Sequence, residues 1–81
     1  MYYDEFELAR LPMGKKAEVV NIGTGGLMRN RLLDLGLVPE TIVEAIRKSP
    51  AGDPVAYKIR GAVIALRVEE SRQITVCPVN G

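Results

Sequence analysis

Glycine and proline cut this sequence into short pieces whose apolar residues mostly alternate with polar ones, and a period of two is the pattern of half-buried β-strands. Strands are expected at residues 17–22, 41–47, 55–60, 62–66 and 73–77. The second and third flank Ser49-Pro50-Ala51-Gly52-Asp53-Pro54, a run of turn-forming residues, so they read as an antiparallel hairpin. The lead-in, residues 1–16, carries Phe6, Leu8 and Leu11 among charges and closes on a turn at Pro12-Met13-Gly14-Lys15. One segment departs from the alternation. At about 100° per residue, Met28, Leu32 and Leu35 share one stripe of residues 27–35, which predicts a single amphipathic helix. Thr24 is placed to cap its first turn, Gly36 supplies the left-handed residue that ends many helices, and Leu37 falls where it folds back on Leu32. Pro39 prevents the helix from resuming. Val68-Glu69-Glu70-Ser71 reads as one further helical turn.

A chain of 81 residues is expected to be one domain, 1–81, and needs nearly all of its 47% hydrophobic residues inside to hold a core. It is too short for a doubly wound sheet, because each parallel crossover needs a dozen or more residues. The expected architecture is mainly β: a small antiparallel barrel of about five strands, with the helix inserted after the first main strand and plugging one open side. The single cysteine excludes an internal disulfide. No apolar run approaches a membrane span, and the acidic start, Met1-Tyr2-Tyr3-Asp4-Glu5, is unlike a signal peptide. A soluble, cytoplasmic domain is expected.

Several segments in order carry a resemblance. Arg31-Leu32-Leu33-Asp34-Leu35-Gly36-Leu37-Val38-Pro39, then Gly52-Asp53-Pro54-Val55-Ala56-Tyr57-Lys58-Ile59-Arg60-Gly61, then Ile64-Ala65-Leu66-Arg67 and Ile74-Thr75-Val76 resemble the successive signatures of the FeoA family, ferrous iron transport protein A. The resemblance implies an SH3-like barrel that is not an enzyme and that serves a FeoB-type membrane transporter of ferrous iron with a GTP-binding domain. The same domain type is similar to the C-terminal module of iron-dependent repressors, so a regulatory module of iron-dependent gene control is the alternative. Two residues depart from the family pattern: Glu40 stands where glycine is usual, and Ser71 where alanine is usual.

The residues themselves offer few chemical sites. Gly23-Thr24-Gly25-Gly26 sits between a strand and a helix, but Leu27-Met28 follow where a phosphate-binding loop would continue Gly-Lys-Ser/Thr, so it reads as a glycine-rich turn. The resemblance brings ferrous iron as a candidate ligand. The chain itself has no histidine, one thiol in Cys77, and carboxylates paired as surface charges, and it shows no evident cofactor site. Without histidine the usual general base is missing too, and no enzyme is expected. A net charge of +1 and four aromatics, Tyr2, Tyr3, Phe6 and Tyr57, argue against a nucleic-acid surface. Arg31 and Asp34 are spaced to pair along the helix. A partner-binding patch is expected instead, formed by Leu33 on the outer helix face with Arg29, Leu37 and Val38. Self-association through such a patch is a further expectation.

Overall fold

A computed structural model of the protein describes residues 4–79. Tyr2 and Tyr3, counted above among the aromatics, lie outside the described residues. The chain runs β1 (Phe6–Glu7), a 3-10 turn (Leu8–Arg10), β2 (Lys16–Ile22), α1 (Gly26–Asp34), β3 (Ile42–Lys48), β4 (Val55–Ile59), β5 (Ala62–Leu66), α2 (Val68–Ser71) and β6 (Ile74–Pro78). All strand pairings are antiparallel, in the order β1-β6-β2-β3-β4-β5. The expected mainly-β architecture with its one inserted helix is present, with two differences. A sixth strand exists, β1, in which Phe6 pairs with Val76 and Glu7 with Thr75. Among the described residues the hydrogen-bonded order also has two ends, β1 and β5, rather than closing on itself.

Alternation dictates what each strand buries. In β2, Ala17, Val19 and Ile22 face inward, and in β4 Val55, Tyr57 and Ile59 do so, while the intervening residues are partly or fully exposed. The step from Val19 to Ile22 breaks the period of two because the register against β6 shifts between Val19 and Asn21. A second shift lies between Ala45 and Arg47 against β4. Each bulge adds local twist, so six short strands curl around one core instead of forming a flat layer. Leu8 and Leu11 from the lead-in, Leu32 from α1 and Leu37 after it complete that core.

The end of α1 follows its sequence signals. Gly36 has φ 100°, its N–H donates to Leu33 O at 2.9 Å, and the Leu37 N–H donates to Leu32 O at 3.1 Å. That pair of bonds is the Schellman arrangement, and Leu32 and Leu37 are both fully buried as its apolar clasp. The start of α1 differs from expectation. Gly25, not Thr24, occupies the capping position, and no side chain caps the first turn. Gly26 has φ 65°, a left-handed conformation that glycine adopts without strain.

The two departures from the family pattern have distinct structural settings. Glu40 has φ 77°, the conformation for which glycine is suited, and its N–H bonds to Val19 O at 2.8 Å. Ser71 is buried at the end of α2, where its hydroxyl donates to Val68 O at 3.2 Å. It therefore belongs to the interior.

Candidate functional site

The face of α1 turned away from the core carries Leu27, Asn30 and Asp34, all exposed, because these lie roughly opposite the buried Leu32 on a helical period. Leu27 is 88% exposed, the most of any large apolar residue described. Arg29 sits on one flank, where its guanidinium donates to the Ile22 carbonyl at 3.3 Å and fastens the helix to the end of β2. Arg31 sits on the other flank and pairs with Glu70 of α2 rather than with Asp34.

The expected patch of Arg29, Leu33, Leu37 and Val38 is not assembled as a surface. Leu37 is fully buried because it is the residue that closes the Schellman turn, and a side chain spent there cannot also face a partner. Leu33 is half-buried and packs against the core. Val38 is half-buried, and Arg29 alone of the four is exposed. The helix does present an apolar residue to solvent, but it is Leu27. Leu27 opens the expected 27–35 helix but lies about 100° from Met28, outside the stripe of Met28, Leu32 and Leu35.

The other sequence candidates fall into place. At the glycine-rich turn the Gly23 N–H donates to Gln73 O at 2.6 Å, so that donor is already used. Among the described residues no three His, Cys, Asp or Glu side chains come together as a metal site would require. Cys77 is half-exposed in β6, and its thiol is held above its ordinary pKa by desolvation and by the negative charges of Glu18 and Glu5. Such a thiol is a weak nucleophile at neutral pH. Tyr57 is buried, which pushes its hydroxyl pKa up, while a hydrogen bond with Ser71 offsets part of the effect. It offers no ring for stacking on a base.

Glu70 is nearly buried and anchors α2 from both sides. Its Oε1 accepts the Arg67 N–H at 2.9 Å, and its Oε2 meets Arg31. The Asp53 carboxylate accepts the Val68 N–H at 3.0 Å, so the 49–54 loop caps the same short helix. These carboxylates are committed to architecture. The sheet's outer face holds a shallow groove of about 190 Å³ lined by Lys16, Ile42, Glu44, Lys58, Arg60 and Gly61. Among the described residues, no helix is long and apolar enough to cross a membrane.

A strongly bent antiparallel sheet of short strands and one inserted helix define a small SH3-like domain. A sequence model of the FeoA domain matches residues 6–78, and the chain belongs to the FeoA family, small accessory domains of ferrous iron transport rather than enzymes. It is 32% identical over 69 residues to a Fe(2+) transport protein A/Fe(2+) transporter FeoB fusion protein of Porphyromonas gingivalis, a match that covers 85% of this chain and 8% of that one. The chain thus spans a small part of that relative's length. The solution structure of FeoA from Chlorobium tepidum is similar with a TM-score of 0.86 and 34% identity, over 94% of this chain and 72% of that one. The crystal structure of Stenotrophomonas maltophilia FeoA, described as an SH3 domain protein and complexed with zinc, matches with a TM-score of 0.79 and 27% identity, over 88% of each chain.

Proposed function

We propose that this domain acts in the cytoplasm by binding the cytosolic part of a FeoB-type ferrous iron transporter with a GTP-binding domain and modulating it, without chemistry of its own. The observation that carries the reading is the Porphyromonas gingivalis relative, in which a similar domain and a FeoB transporter share one polypeptide. Covalent fusion fixes two domains at high effective concentration, an arrangement that favours a weak contact between them. The contact surface is the outward face of α1, with Leu27 at its centre and Arg31, one turn on, beside it, while Arg29 and Leu33 lie on the opposite flank and Val38 in the turn beyond. A single exposed leucine beside a cation is the composition of a small interface anchor with a polar rim.

Titration of the chain into the purified transporter, followed by calorimetry and by the rate of GTP hydrolysis, tests the reading. Saturable binding with an altered hydrolysis rate supports it. Heat and rate indistinguishable from a buffer injection overturn it.

A further inference from the structure

β5 ends the sheet order, and none of the backbone bonds outside the regular ladders involves residues 62–66. Among the described residues its second edge is therefore unpaired. Which groups face that edge follows from the turn that precedes it. Arg60 and Gly61 have φ 53° and 86°, a type I′ two-residue turn, so Ile59 and Ala62 form the hydrogen-bonded pair that flanks it. Counting along the ladder, Ala62, Ile64 and Leu66 aim their backbone groups at β4, whereas Val63 and Ala65 aim theirs outward.

Natural sheet edges are ordinarily blunted by charge, proline or a bulge. The five residues Ala62, Val63, Ile64, Ala65 and Leu66 contain no charge and no proline, and the β4–β5 ladder runs without a register shift. Val63 is 64% exposed.

We propose that β5 is a self-association edge, at which two copies of this chain pair antiparallel about a two-fold axis through Ile64. The occupant is argued from the strand's own fit to itself. With the axis at Ile64, Val63 of one copy lies opposite Ala65 of the other, and these are the residues whose backbone groups point outward. Both such pairs thus fall at hydrogen-bonding positions, and the two Ile64 residues meet at the non-hydrogen-bonded position, where side chains approach closest.

On the outer face the large Val63 sits beside the small Ala65. The register Arg47-Ala56-Ala65 continues through Val63 of the second copy to its Lys58. Three apolar residues consequently separate Arg47 from the second copy's Lys58, so no like charges stand opposite one another across the axis. On the inner face Ile64, half-buried against the core, gains the second copy's Ile64 as cover. An edge of this length buries less than the roughly 1,200 Å² of a standard stable interface, which places the dimer among weak, concentration-dependent ones.

Sedimentation equilibrium on the full chain from roughly 10 µM to 1 mM reads the association, a range chosen for interfaces of that size. The mass rises from monomer toward dimer with concentration. Val63→Lys and Ala65→Pro each shift the midpoint upward by roughly tenfold or more while circular dichroism remains native, because neither replaces a group used against β4. In a Cys77→Ser background, Ile64→Cys forms an intermolecular disulfide on mild oxidation and Val63→Cys does not, since facing non-hydrogen-bonded residues lie within disulfide reach. A chain that remains monomeric at the highest concentration, a dimer unmoved by Val63→Lys, or cross-linking through residue 63 in place of 64 overturns the proposal.

Discussion

Arg31 of α1 and Glu70 of α2 form an ion pair, and the same carboxylate accepts the backbone N–H of Arg67, so one side chain ties the helix to the first turn of α2. The side chains differ in setting: Arg31 is 52% exposed and Glu70 is 12% exposed. Solvent screening at the arginine makes the ion pair the smaller contribution, and the nearly buried capping bond the larger. Glu70→Ala removes both and is expected to lower stability by about 1–2 kcal/mol. Glu70→Gln keeps the acceptor and costs under about 1 kcal/mol. Chemical denaturation of the two variants measures the difference, and equal losses would mean that the cap contributes little.

The Schellman turn after α1 supplies a second prediction. Gly36→Ala forces a left-handed conformation on a residue with a Cβ and brings that atom to 2.9 Å from the Arg60 Cδ. The arginine tip is flexible, so most of the cost is conformational, about 1–2 kcal/mol. Gly14, with φ 85° and open space around the same position, isolates the conformational part. Thermal unfolding should show Gly36→Ala losing at least as much stability as Gly14→Ala.

Glu40 points the opposite way. With φ 77° it holds a conformation costly to any side-chain-bearing residue, and Glu40→Gly is expected to raise stability by roughly 0.5–1 kcal/mol after the greater flexibility of glycine in the unfolded chain is subtracted. A lower melting temperature for Glu40→Gly would show that the glutamate side chain stabilises the turn in some other way.

Tyr57 makes stability depend on pH in the alkaline range. Burial raises its pKa in the folded chain above the ordinary value near 10, which the unfolded chain retains. Below that value the hydroxyl is protonated in both states and its contribution is constant. Above it the unfolded chain loses the proton first, so stability falls with rising pH. Lysines titrate in the same range, so the measurement is the difference between the native chain and Tyr57→Phe. That difference should be flat through neutrality and change only above about pH 10.

Much of the fold was legible because it rests on local signals. The alternating strands, the 49–54 loop, the helical turn at Val68–Ser71 and the clasp of Leu32 on Leu37 each depend on residues close in sequence. β1 was not legible, since two residues around Phe6 carry no period and their pairing with β6 joins opposite ends of the chain. The contact surface was harder still. Leu33 lies about 100° from Leu32 on the helical wheel, an intermediate flank, and only the surrounding packing decides whether such a flank is covered. The sequence lets Leu37 serve either the clasp or a surface patch, and burial leaves it only the first. The Arg31–Glu70 pair spans two elements far apart in sequence, whereas the i, i+3 spacing pointed to Asp34.

Function by surface contact is tested most directly by the affinity of the Leu27→Asp chain for the transporter's cytosolic part, measured by calorimetry beside the native chain. Leu27 is exposed, so the substitution leaves the core intact. Loss of a desolvated leucine anchor and introduction of a charge predict at least roughly tenfold weaker binding. An unchanged affinity in a folded Leu27→Asp chain would contradict the account.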